Sequence, residues 1–202
     1  MELKARFFKL VLNYSKDEYL IQSLWKNIYK NYSERNRTYH NLTHLEELFK
    51  HVDVHQNLIK NLDLLSFSVF YHDIIYNIWN TDNEEKSAEF AMESLSKLKL
   101  NQVFLDQLNN QICATKTHIS SDDDTKWLLD FDLGILGTST EHYANYTALI
   151  REEYKSIPEF TYINGRKKVL QHFIDKPFII NDRIVLDGID GSVKEIGIRS
   201  LH

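Results

Sequence analysis

The sequence predicts an all-α protein. Glycine (6) and proline (2) are scarce in its 202 residues, so the turn punctuation that many short strands would need is missing. Leu, Ile, Phe and Tyr recur at helical spacing in successive segments, several of which open on capping residues. Nothing marks a linker, a repeat or a low-complexity segment, so one domain over residues 1–202 is expected.

In chain order, Leu3, Phe7, Leu10 and Val11 suit a short first helix. Ser15 and Glu18 fit a capping box for a second helix over 16–32, with Leu20, Leu24 and Ile28 on one face. Residues 31–37 are polar and basic and read as a loop. Thr43 and Glu46 form a second capping box, which puts His44 in the first turn of a third helix and His40 just before it. The stretch 62–74 is apolar nearly all round, so this helix belongs in the middle of the bundle, with His72 and Asp73 at its end. A polar connection over 77–83 leads to a helix carrying Ala88, Ala91, Met92, Leu95 and Leu98, capped from Thr81 or Asp82. Further helices are expected over 103–118, around Trp127–Asp132 with a stop at Gly137, and over 143–157 and 166–175. The segment 178–202, with turn signals at Asn181-Asp182 and Asp187-Gly188, reads either as a small hairpin or as a loose tail.

A net charge of −5 argues against a nucleic-acid-coating role, while leaving room for a small phosphorylated substrate drawn to a metal. One cysteine, Cys113, forms no internal disulfide, and neither a signal peptide nor an apolar run of spanning length is visible. The expectation is a cytoplasmic protein without a membrane partner. Its oligomeric state is not legible.

The chemistry lies in an ordered set of nitrogen and oxygen donors: His40 and His44, then His72-Asp73, then Asp130-Phe131-Asp132. A His-Asp pair is unremarkable by itself in a chain with 9 histidines. Its placement is what matters, because a carboxylate in an apolar helix is costly to bury without a partner, and a cation is the economical one. Asp132, flanked by Phe131 and Leu133, is in the same position. Two imidazoles and two carboxylates suit a divalent ion of intermediate hardness: Mn, Fe, Ni, Co or Zn, with Mg preferring more oxygen. Water on such an ion becomes a nucleophile, and His40, outside the helix, could protonate a leaving oxygen.

The order His44, His72-Asp73, Asp132 resembles the H…HD…D signature of the HD-domain metal-dependent phosphohydrolases, and Tyr39-His40-Asn41-Leu42-Thr43-His44 resembles the YHNxxH motif of the cyclic-nucleotide phosphodiesterases. More closely, the chain resembles a small bacterial family of predicted HD phosphohydrolases. The match runs from about residue 15 to 180, through Arg37–His40, His72–Tyr76, Asn83-Glu84, Ser87-Ala88, Thr115–His118, Asp130–Gly137, Arg151–Tyr154 and Gly165-Arg166. The resemblance implies an HD-domain-like helical bundle in which His44, His72, Asp73 and Asp132 hold a metal and His40 is the general acid. Asp130 is the alternative last ligand.

Around that set, His118 reads either as a group facing a second metal or a phosphate, or as a helix C-terminal cation. Glu84 reads as a cap or as a residue orienting water. Arg37, Arg151 and Arg166 are candidates for holding phosphate in bidentate fashion, or ordinary surface charges. His51, His55, His142, His172 and His202 match no motif. The function expected is hydrolysis of a phosphate ester or anhydride in a nucleotide or related small molecule. The alternatives are a di-iron oxygenase of the HD type, which needs His118 and a further donor, and a non-catalytic nucleotide-binding module.

Overall fold

A computed structural model describes residues 2–174, 183–186 and 189–192, with side chains as far as residue 172. Its class is all-α, as expected, with one small antiparallel hairpin added. Where the sequence offers no boundary, Cα packing groups the chain into two compact units, Met1–Leu133 and Gly134–His202, which meet within a 3-10 turn over Leu133–Gly137.

The first unit contains α1 (Leu3–Val11), α2 (Glu18–Tyr32), α3 (Leu42–His55), α4 (Leu62–Tyr71), α5 (Asn83–Leu95), α6 (Gln102–Thr117) and α7 (Asp123–Asp132). Short polar side chains start most of these helices by taking up free N–H groups: Asp17 accepts from Leu20, Asn41 from Thr43, Asn61 from Leu64, Asn101 from Phe104 and Asp122 from Thr125. Three starts differ from the caps expected in the sequence, and at one of them, α5, Asp82 holds the N-cap position without a side-chain hydrogen bond. Asp17, not Ser15, caps α2, and Asn41, not Thr43, caps α3. In both of these an Asx side chain two residues away reaches the open amides and takes the role.

Helix α4 is the centre of the unit, as its all-round apolar character predicts. Every residue from Leu64 to Tyr71 is buried, and α3, α5, α6 and α7 all pack on it. Phe7 of α1 meets Phe70 edge-on at 5.0 Å, and Phe49 of α3 lies 4.7 Å from the same ring. Ser66 and Ser68 are the polar exceptions. Their hydroxyls donate to the carbonyls of Leu62 and Leu64, and Ser68 Oγ also lies 2.7 Å from Gln111 Oε1 of α6.

One buried carboxylate aligns α4 with α7. Asp124, in the first turn of α7, accepts the backbone N–H groups of Lys60 (2.9 Å) and Asn61 (2.7 Å), immediately before α4. Both helices are 10 residues long. They therefore start at one clamp, run side by side for about 15 Å and end together. His72-Asp73 follows the end of α4, and Asp132 ends α7.

The second unit contains α8 (Thr140–Glu153), α9 (Glu159–Ile174) and the strands β1 (Arg183–Leu186) and β2 (Ile189–Ser192). The strands pair antiparallel, with Arg183 opposite Ser192 and Leu186 opposite Ile189. Of the two readings for 178–202, the hairpin holds for these strands; the rest of that segment, with both turn signals, lies outside the described residues. Helices α8 and α9 begin several residues before the expected 143 and 166, because Ser139 caps α8 and α9 starts directly after Pro158. No described helix is long and apolar enough to cross a membrane.

Replacing Asp124 by Ala strands two main-chain donors and should lower the unfolding free energy in urea by about 3 kcal/mol. A loss below about 0.5 kcal/mol, the range of an ordinary surface substitution, would contradict the clamp.

Candidate metal centre

Three helix ends bring the donors together, and a fourth sets His118 beside them. Asn41 caps α3 with its Oδ1, while its Nδ2 donates to the carbonyls of Arg37 (3.3 Å) and Thr38 (3.0 Å), so the preceding loop is tied to the helix start. His44 is thereby fixed in the first turn of α3, and it is buried. His72 directly follows α4, and its backbone N–H still donates to Ser68 O. Asp73 comes next, and Asp132 closes α7. From the C-cap of α6, His118 adopts the left-handed conformation (φ 53°) and puts its Nε2 3.2 Å from Asp132 Oδ2.

The protonated nitrogen of His72 follows from its neighbour. Nδ1 lies 2.9 Å from Val69 O, and a carbonyl only accepts, so Nδ1 carries a hydrogen and Nε2 is the nitrogen turned to the cluster, open to an ion once a proton there is displaced. This is the arrangement a metal-binding imidazole needs.

The donor separations test the fit. His44 Nε2 lies 3.2 Å from His72 Nε2 and 3.3 Å from Asp132 Oδ1. His72 Nε2 lies 3.2 Å from Asp73 Oδ2 and 3.6 Å from Asp132 Oδ1, the His44–Asp73 separation is 3.9 Å, and all four donor atoms lie within 4.8 Å of one another. Donors about 2.1 Å from one ion stand about 3.0 Å apart at right angles and about 3.4 Å apart at tetrahedral angles. The residues fit a shared divalent ion. Among the described residues these four form the one group of His, Cys, Asp or Glu side chains that could hold a metal.

The electrostatics point the same way. Burial pushes the His72 imidazole down, yet the carboxylates of Asp73 and Asp132 outweigh it and hold the group well above its usual range. Burial pushes the Asp73 carboxyl up, and His72, by charge and hydrogen bond, with His40 adding to it, holds it low instead. Asp132 is treated alike: burial raises it, and hydrogen bonds from His118, His44 and His72 bring it far down. The pocket favours anionic carboxylates with a positive charge between them, which a proton or a metal ion can provide.

Of the other expected residues, His40 is half-buried and stacks on Tyr76 (4.2 Å between centroids, 27°), with Tyr39 edge-on at 5.0 Å and the His44 ring at 5.8 Å. It stands beside the donor set without belonging to it. Glu84 lies in the first turn of α5, half-buried; burial raises its carboxyl, and the negative charge of Asp73 adds to the rise. Asp130 is exposed, which leaves Asp132 as the carboxylate in the cluster.

The three arginines expected to hold phosphate each have partners within the protein. Arg37, a candidate for phosphate, is 5% exposed and donates to the carbonyls of Asp73 (2.6 Å) and Ile74 (2.9 Å) and to Glu34 Oε2 (3.0 Å). A guanidinium turned onto main chain is not presented to a substrate. Arg151 and Arg166 lie in the second unit. There Arg151 pairs with Glu159 (2.9 Å) and donates to Tyr154 O, and Arg166 donates to the Tyr146 hydroxyl (2.9 Å). Tyr32 escaped the sequence reading altogether: its hydroxyl accepts the backbone N–H of Asp73 at 3.2 Å, across 41 residues of chain. Nothing in its sequence neighbourhood signals that contact.

Comparison with known proteins adds a likeness elsewhere in the chain. The family model that matches describes the β-domain of a mechanosensitive ion channel and covers residues 169–202. No HD-domain family model, curated protein or solved structure matches. The expected membership in the HD superfamily and its small bacterial family is thereby overturned. The resemblance rested on a few polar residues at wide spacing, which specify a donor set without specifying the packing around it. The matched segment shares no residue with the donor set.

Asp73→Ala and Asp132→Ala should each cut divalent-metal affinity more than 100-fold, beyond the 10–100-fold typical of residues that only support a ligand, while Asp130→Ala should leave it unchanged. Metal content after dialysis against a stated free-metal concentration checks this. An Asp132→Ala chain that holds its ion would remove Asp132 from the site.

Proposed function

We propose that the chain is a metal-dependent phosphohydrolase, cleaving a phosphate ester or anhydride in a small molecule such as a nucleotide. The observation that supports this most is the set of five donor separations between 3.2 and 3.9 Å among His44, His72, Asp73 and Asp132, with an imidazole that is not a ligand, His40, beside them.

A divalent ion held by these four residues would supply Lewis acidity and a water of lowered pKa. The chain's own residues do the rest. His40, its ring fixed between Tyr76 and Tyr39, gives a proton to the leaving oxygen as the P–O bond breaks. Glu84, held in a more basic state by burial and by the charge of Asp73, orients the water that attacks phosphorus. The substrate's phosphate is attracted to the cation rather than to Arg37, which is turned onto main chain.

A second reading has one observation in its favour. The two oxygens of Asp132 face different partners, Oδ1 the histidines of the cluster and Oδ2 His118, so its carboxylate could serve a second ion in a di-iron oxygenase. That di-iron oxygenase needs further donors around His118, and among the described residues no second group of three is present.

The test uses two substrates. With Mn, Ni, Co or Mg added, the protein should release p-nitrophenol from bis-p-nitrophenyl phosphate. A general acid matters most where the leaving oxygen is basic. His40→Ala should therefore lower kcat at least about 100-fold on an alkyl phosphate ester, far less on the p-nitrophenyl ester, and leave metal content intact. Equal losses on both would remove His40 as the acid. Ligand binding without turnover under every metal would favour the non-catalytic binding module.

A further inference from the structure

The metal-ligand turn leaves α4 just where a helix has carbonyls without partners. After Tyr71 the chain holds few helical hydrogen bonds of its own, yet Asp73 must keep its carboxylate within ligand distance of His72. The main chain of Asp73 is gripped at both of its polar groups. Its N–H donates to the Tyr32 hydroxyl at 3.2 Å, and its carbonyl accepts from Arg37 Nη1 at 2.6 Å. Arg37 Nη2 takes the next carbonyl, that of Ile74, at 2.9 Å, and its Nε is held by Glu34.

The same guanidinium reaches toward the acid. Arg37 Nη1 lies 3.5 Å from His40 O, and the Arg37 side chain sits over the rings of Tyr32 (5.3 Å) and Tyr76 (5.7 Å), the second of which stacks on His40. Both gripping residues are buried, with Tyr32 1% exposed. One planar cation thus touches the turn that carries two ligands, the loop that carries His40 and the ring against which His40 rests.

Building on the metal-centre reading, we propose that Tyr32 and Arg37 are positioning residues that brace the His72-Asp73 turn and set its distance from His40. Lysine cannot replace Arg37, because a single ammonium does not span two successive carbonyls and a carboxylate in the plane that a guanidinium offers. Removing the brace loosens the ligand turn without removing a ligand.

The experiment compares Arg37→Lys, Tyr32→Phe and a control, Ile21→Ala, which opens a cavity on the buried face of α2. For each full-length chain the melting temperature without metal and the dissociation constant for Zn²⁺ or Mn²⁺, by competition with a chelating dye, are measured. Arg37→Lys should weaken metal binding 10- to 100-fold, and Tyr32→Phe, which keeps the ring and so the packing, about 10-fold. Ile21→Ala should melt at least as early and keep its dissociation constant within twofold. If Arg37→Lys does not fold, Tyr32→Phe alone decides. Unchanged metal affinity in the folded variants, or an equal loss in Ile21→Ala, would overturn the brace and leave the metal centre standing. A wild-type chain that takes up no ion would overturn both.

Discussion

Two carboxylates cannot share a buried pocket with two imidazoles unless something positive sits between them, and the first unit of this protein is arranged around that requirement. In water such a cluster would disperse. Beneath the first turn of α3 and the ends of α4 and α7 it cannot, because each donor is fixed to a helix whose other face is in the core. The burial of Asp73 and Asp132 favours their neutral forms, and their histidine neighbours reverse that preference. The pocket therefore favours a positive charge beside its carboxylates.

The delivery of these donors is simple in mechanical terms. Asp124 starts α4 and α7 from the same point, equal length ends them at the same level, and Asn41 ties the loop carrying His40 to the helix carrying His44. Arg37 then joins that loop to the turn after α4. Each of these ties is a short polar side chain or a guanidinium on backbone groups that a helix end leaves free, so the site is built from the places where helices stop rather than from their faces.

Much of this was legible in the sequence. The apolar run in α4 announced a central helix, and the interruption of apolar surroundings by His72, Asp73 and Asp132 announced their company, because the cost of a lone buried carboxylate holds in any fold. Asp130 against Asp132 was not decidable by composition; it became so once α7 turned the first to solvent and the second to the cluster. The main-chain partners of Arg37 were not legible, because a positive charge near a phosphate site and one under a helix end look alike in one dimension. Tyr32 and Asp124 were invisible, since their partners are main-chain groups 41 and 63 or more residues away, and a backbone N–H carries no sequence signature. The motif order also suggested a family that the chain as a whole does not match. A donor set is a weaker constraint on sequence than a packed core.

The most direct measurement is nitrogen NMR of the imidazoles while Zn²⁺ is added to the metal-free protein. The Nε2 resonances of two histidines, His44 and His72, should move to the position of a metal-bound nitrogen at one ion per chain, with His72 Nδ1 keeping its hydrogen. Saturation with no shift at these two nitrogens, or with the shifts at His51 and His55 on the outer part of α3, would contradict the metal centre at its root.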